Sequence, residues 1–204
     1  RSAMEAGTYQ SWLSAVAVIL TCIAFLPYIL SIFRGRTRPH VFSWVIWGLN
    51  TSVAFLATLH AGGGHGAGVI GFSAGVTLFI AVLAYIKRAD VSVTLTDRLF
   101  FIAALAAMPL WHWADDPLWA VWLITVIELL GFGPTFRKTW SQPYSESMSF
   151  LVLLVLRNAL VIAALDRLTA TTVLFPAAMA AACLALIAVM AWRRPQVVAI
   201  SSDR

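Results

Sequence analysis

Few side chains in this sequence can do chemistry, and the ones that can sit inside long apolar runs. Glu128 lies six residues before Pro134, roughly 9 Å along a helix at about 1.5 Å per residue. Arg157, directly before Asn158, interrupts another apolar run. A charge surrounded by hydrocarbon is costly, so each group must pair, change protonation or face water. Two readings stay open. Glu128 and Arg157 neutralise each other and fix packing, or Glu128 holds a proton or a polar ligand in a central cavity. Asn50 and Asn158 carry amides, which both donate and accept and so suit hydroxyl or amide ligands. The alternative is an interhelical tie of about 0.6 kcal/mol. Trp47, one turn before Asn50, offers a flat face on which a sugar ring or a nicotinamide base can stack.

Other chemistries lack their residues. No nucleophile sits beside a base, and no glycine loop is built to cradle phosphate. An enzyme is therefore not expected, nor a cofactor. His60 and His65 flank a glycine run and, with His112, are expected in outer loops without the carboxylate or cysteine partner that a metal site needs. Lys87 and Lys138 fall at helix ends, so no span offers an amine for a retinal Schiff base. Cys22 and Cys183 read as small core residues inside apolar helices.

The elements that must position these groups follow from composition. Of the 204 residues, 61% are hydrophobic and 11% charged, against about 25% charged in a soluble domain. Apolar runs of about 17 to 23 residues recur, long enough to cross a hydrocarbon layer of roughly 30 Å. They do not alternate apolar with polar residues, which argues for helices over a barrel. An all-α integral membrane protein is expected, with lipid as its surroundings. The net charge of +5 belongs to helix ends rather than to a nucleic-acid surface. Residues 1–7 are set aside as an appended stretch, and no cleavable signal peptide is expected ahead of a first run long enough to span.

Seven spans are predicted: 12–33, 41–59, 67–86, 99–113, 118–136, 148–165 and 171–192. The fourth is short and interrupted by Pro109. Arg34, Arg36, Arg38, Lys87, Arg88, Arg98, Arg137, Lys138, Arg193, Arg194 and Arg204 all fall on one side; Arg1, Arg167 and the pair Asp115-Asp116 fall on the other. That asymmetry places the C-terminus in the cytoplasm and the N-terminus outside, as in a multi-pass protein of a bacterial inner membrane.

The spans divide as three, one, three. Pro27, Ser43-Trp44 and Asn50 in the first group correspond to Pro134, Ser149-Phe150 and Asn158 in the last, with proline-to-asparagine spacings of 23 and 24 residues. Thr21 stands where the second group has Glu128, and Leu49 where it has Arg157, so the charge is on one half only. The units expected are 12–88 and 118–194, joined by a linker helix at 98–114. Three spans per repeat is an odd number, and the linker gives both repeats the same orientation. Gly68, Gly71 and Gly75 of the third span provide small faces for close helix approach.

This plan and these residues resemble the PQ-loop superfamily, which includes the SWEET and SemiSWEET sugar transporters and lysosomal amino-acid exporters. The bacterial nicotinamide riboside transporters look similar. The hallmark Pro-Gln dipeptide is absent: Tyr28 follows Pro27, and Thr135 follows Pro134. The resemblance implies two parallel three-helix repeats and alternating-access transport of a small polar solute (sugar-, amino-acid- or vitamin-like). It makes Pro27 and Pro134 hinges rather than static kinks. It sets Asn50, Asn158, Trp47, Thr21, Glu128 and Arg157 around the solute, with proton coupling through Glu128. A homo-oligomer is compatible with it. A non-transporting receptor or accessory protein on the same fold, as in the KDEL receptors, is the alternative.

Overall fold

The computed structural model describes residues 3–36, 39–87, 93–144 and 146–202, with the side chains of 3–6, 134, 138 and 198–202 outside that description. Arg1, Arg38, Arg88 and Arg204, which entered the charge argument, lie outside the described residues. The described residues form seven helices and no strand: α1 (Ala3–Phe33), α2 (Val41–His60), α3 (Gly64–Ile86), α4 (Leu95–Ala114), α5 (Pro117–Ser141), α6 (Met148–Ala163) and α7 (Ala170–Ser202). In lipid the backbone has no water to bond, so apolar runs of this composition close their hydrogen bonds internally.

Five of the seven are long and apolar enough to cross a membrane: α1, α2, α3, α5 and α7. This is the architecture of a multi-pass membrane protein. α6 is apolar but has 16 residues. α4 is not among the five, and it carries Asp97, Arg98 and His112.

Helix ends differ from the predicted spans for local reasons. α4 starts four residues early because Thr94 and Asp97 form a capping box: the Thr94 hydroxyl accepts from the Asp97 N–H, and the Asp97 carboxylate accepts from the Thr94 N–H. α1 and α2 end in glycine-capped turns. Arg36 N–H donates to Ser31 and Gly35 N–H to Ile32 after α1, and Gly63 N–H donates to Thr58 and Gly62 N–H to Leu59 after α2. Gly35 and Gly62 take φ of 69° and 79°, the left-handed conformation this motif requires. α1 begins inside the stretch that was set aside, and α7 runs past Arg193-Arg194 and through Pro195.

Packing ties α3 to both α1 and α2, and α7 to both α5 and α6. Across these groups α1 meets α6, α2 meets α5, α3 meets α6 and α2 meets α7, while α4 lies against α5 and α2. His40 and Asp97, 3.8 Å apart, join the start of α2 to the start of α4.

One core cluster collects buried residues from all seven helices, among them Ala17, Ala54, Val69, Ala107, Ile124, Val161 and Phe175. Toward the ends that carry Arg34 and Arg193 there are three smaller clusters, one of which, Ile46, Ala104 and Ile127, joins α2, α4 and α5. Ile32, Trp44, Ile80 and Leu83 cluster within α1–α3; Leu151, Cys183, Leu186 and Met190 cluster within α6 and α7, with Phe132 and Phe136 of α5 packed on them. The rims are stitched by cations on rings: Lys87 over Phe33 at 5.8 Å, Arg193 over Trp140 at 5.0 Å and Arg194 over Tyr144 at 4.9 Å.

Two expectations change here. Cys183 is buried as expected, but Cys22 is exposed on the outside of α1. Gly68 and Gly75 face open space; the tight approaches are at Gly66 and Gly71. A Cβ on Gly66 would lie 2.8 Å from the Val161 carbonyl oxygen of α6 and 2.7 Å from Leu165. Helix period alone puts Gly68, Gly71 and Gly75 near one another but cannot say which side meets a neighbour. Gly66→Ala should therefore destabilise by about 1–3 kcal/mol through overpacking. Gly68→Ala should stabilise by up to about 1 kcal/mol through helix propensity. Denaturant unfolding in detergent would measure both, and equal effects would contradict the packing.

Candidate functional site

The helices place a thin polar layer near mid-depth. Thr21 of α1, Asn50 of α2, Ser73 of α3, Glu128 of α5, and Arg157 and Asn158 of α6 are all buried. Asn50 is ten residues into α2 and Glu128 twelve into α5, so each sits close to the centre of its helix.

Asn50 and Glu128 come together where α2 packs on α5, close enough for the side chains to interact. Contact stops short of a hydrogen bond: neither Nδ2 nor Oδ1 of Asn50 completes one, although the residue is 0% exposed. A buried amide left with both of its polar atoms unmatched is costly, at about 1–3 kcal/mol for each group. It therefore presents a free donor and a free acceptor next to a carboxyl group.

Glu128 does not pair with Arg157. The Arg157 guanidinium donates to the Asn158 side-chain oxygen at 2.9 Å and to the Ser73 hydroxyl of α3. Its Nε is buried without a partner. The reading in which the two charges neutralise each other is thereby corrected. α5 packs on α2 and α6 on α3, so the two groups serve different interfaces.

The remaining candidates divide. Asn158 is committed, since its Nδ2 donates to Leu154 O at 2.9 Å and its oxygen accepts from Arg157. Thr21 donates to Ala17 O of its own helix at 2.8 Å. Trp47 is 36% exposed, stacks edge-on against Trp44 at 5.1 Å, and points its Nε1 toward Gly131 of α5. Pro27 lies inside a continuous α1, where it removes one backbone bond. The Pro134 side chain is outside the described residues, although the backbone of α5 continues through it.

Three features were missed by reading the sequence. Ser73 is the partner of Arg157, and its signal was a hydroxyl inside an apolar span. An aromatic cluster lies between the polar layer and the α1–α2 turn: Phe25 meets Trp44 at 6.4 Å and Phe150 at 5.6 Å, and Tyr28 meets Trp44 at 5.2 Å. It links α1, α2 and α6. His65 has a carboxylate partner after all, Asp166, 101 positions away in sequence.

Chemically, the Asn50–Glu128 pair can bind a group that donates and accepts hydrogen bonds and can hold a proton, beside the Trp47 ring. Arg157 bonds Asn158 of its own helix and Ser73 of α3, and so acts as a tie between α3 and α6. Ser73→Ala should then cost about 1.5–3 kcal/mol, because it strips a buried charged donor of its partner. Thr77→Ala should cost less than about 1 kcal/mol, since that hydroxyl only bonds carbonyls of its own helix. Thermal unfolding of the two variants would separate these outcomes.

No protein-family model, curated protein or solved structure matches this chain.

Proposed function

We propose that the chain is a membrane transporter of a small polar solute that works by alternating access. The plan is of PQ-loop type: seven spans in two parallel three-helix repeats with α4 as the linker, the N-terminus outside and the C-terminus in the cytoplasm. The observation that carries the reading is the Asn50 amide, wholly buried, unbonded, and set against Glu128. A structural tie would have its bonds made; this group has them available.

Further support comes from the order of packing. The contacts α1 with α3, α2 with α3, α1 with α6 and α3 with α6 each have a counterpart, α5 with α7, α6 with α7, α5 with α2 and α7 with α2. A twofold relation between the repeats would generate this set. Trp44 and Phe150, at corresponding positions, both touch Phe25.

In this reading Asn50 and Trp47 contact the solute and Glu128 selects it or couples a proton to it. Thr21 and Asn158, with bonds made inside their own helices, form the opposite wall. Pro27 supplies the flexible point of α1, and Pro134 is assigned the same part in α5 on the repeat alone. The receptor alternative draws on Arg157, whose guanidinium is free of Glu128 and whose Nε–H is unbonded. Solute binding without counterflow across liposomes would favour it.

Two substitutions test the transport reading. Asn50→Leu should raise unfolding stability by about 1–3 kcal/mol, because it removes the unmatched amide, and lower liposome uptake at least tenfold. Loss of stability instead would make Asn50 a tie between helices. Glu128→Gln should lower uptake and flatten its dependence on pH; unchanged rate and pH profile would remove Glu128 from the mechanism.

A further inference from the structure

Among the described residues, Arg157 is the one buried cation, with 8% of its surface exposed. A guanidinium keeps its proton at any ordinary pH. Its surroundings supply no opposite charge. The side chains that meet it are the Ser73 hydroxyl of α3 and the Asn158 amide oxygen, both neutral. The ion pairs among the described residues are His40–Asp97 and His65–Asp166, and neither involves it. Glu128, the buried carboxyl of the same layer, lies against Asn50 of α2. Neutral oxygens solvate part of a cation without cancelling its charge, and inside a lipid-embedded bundle the remainder is expensive.

The donors are also left over. A guanidinium has five N–H groups in one fixed plane. Nη1 gives a hydrogen to Asn158 and Nη2 gives one to Ser73. Nε is buried with no partner. The second hydrogens of Nη1 and Nη2 meet no acceptor among the described residues. Two bonds thus hold the α3–α6 seam, and the other N–H groups, Nε–H among them, have nothing to bond. Two neighbouring N–H groups along a guanidinium edge are parallel and match the two oxygens of a carboxylate.

This cation stands level with the Asn50–Glu128 pair. α2 ends at His60 and α3 begins at Gly64, so the two helices run in opposite directions from one short turn. Asn50 and Ser73 each lie roughly 14 Å along their helices from that turn, at about 1.5 Å per residue. Ser73 holds the guanidinium, which places it in the same layer.

We infer, on the transport reading, that the solute carries a single carboxylate, which Arg157 takes at its unbonded N–H groups. The rest of the solute is uncharged and meets Asn50, Glu128 and Trp47. Charge count favours a carboxylate over a phosphate ester. No second cation joins Arg157 in the buried layer, so the nearly two negative charges of a phosphate would be only half compensated. Nε is sealed from solvent, and the carboxylate reaches it when the α3–α6 seam parts, a motion that alternating access provides. Arg157 then does two things: it ties the seam through Nη1 and Nη2, and it demands a negative charge before the layer is electrically complete. Leu49 stands at the corresponding place in the first three helices, so one carboxylate is taken and not two.

Thermal unfolding of the whole protein in detergent reads binding without any flux. Lactate and benzoate are titrated beside their uncharged amides, lactamide and benzamide, and beside sodium chloride at matched ionic strength. Both carboxylates should raise the unfolding temperature and saturate, with apparent Kd at least about tenfold below those of the amides and of chloride. Arg157→Gln should weaken carboxylate binding about 10- to 100-fold and leave the response to the amides as it was. Arg157→Lys keeps the charge but gives up the paired edge. It should abolish the preference for carboxylate over chloride, and it serves if Arg157→Gln does not fold. No response to either carboxylate, an equal response to acid and amide, a response to chloride alone, or a carboxylate preference that persists in the variants would overturn the proposal. Arg157-dependent carboxylate binding without liposome uptake would keep the site and remove transport. Uptake of a neutral solute without carboxylate binding would keep transport and remove the site.

Discussion

A helix bundle in lipid has no solvent with which to settle its polar groups, and this sets how α1–α7 can pack. Each buried hydroxyl, amide or charge must find its match within the protein. Most do so at short range: Thr21 and Thr77 bond to their own helices, and Asn158 bonds to Leu154 and Arg157. Arg157 reaches across to Ser73 and so fixes α6 against α3. Ser14, Thr58, Thr125 and Thr139 also keep a buried hydroxyl without a partner, and the Asn50 amide adds two unmatched atoms on one side chain, at the cost that burial without bonding carries.

The uneven placement of charge between α1–α3 and α5–α7 follows from the same constraint. Glu128 and Arg157 occupy one group only, yet they do not serve each other. One faces α2 and the other α3, so the two charges lie at different helix–helix seams. Small residues at those seams, such as Gly66 against Val161, bring backbones close where side chains could not fit. Aromatic side chains fill another seam, where Phe25 of α1 meets Trp44 of α2 and Phe150 of α6.

Much of the fold could be read from the residue order. Long apolar runs with basic residues at alternate gaps located all seven helices, but α1 starts nine residues earlier and α7 ends ten residues later than the spans those runs define, and the capping pair Thr94–Asp97 extends α4. The site was legible only in part. Glu128 and Asn50 were picked out because polar side chains are rare in such runs, but which of them would meet depends on helix rotation, and residue type does not encode that. The expected Glu128–Arg157 pairing failed for this reason. Gly68 and Gly75 failed likewise, since a small face does not reveal which neighbour it is for. Ser73 and the His65–Asp166 contact depend on approaches of 84 and 101 positions along the chain, which no local pattern signals.

The common core drawn from every helix has a mechanical meaning. Near the glycine-rich turn, the first three helices and the last three share both that core and directional bonds such as Gly66 to Ala164. Toward the basic ends α1–α3 and α5–α7 keep their own clusters, and they are bridged by Ile46, Ala104 and Ile127 of α2, α4 and α5 and by the ring contact of Phe25 with Phe150. Dispersion contacts slide and part gradually, whereas hydrogen bonds break at once. The glycine-rich face is thus gripped by directional bonds as well as by packing, whereas the opposite face is gripped mainly by interlocking side chains.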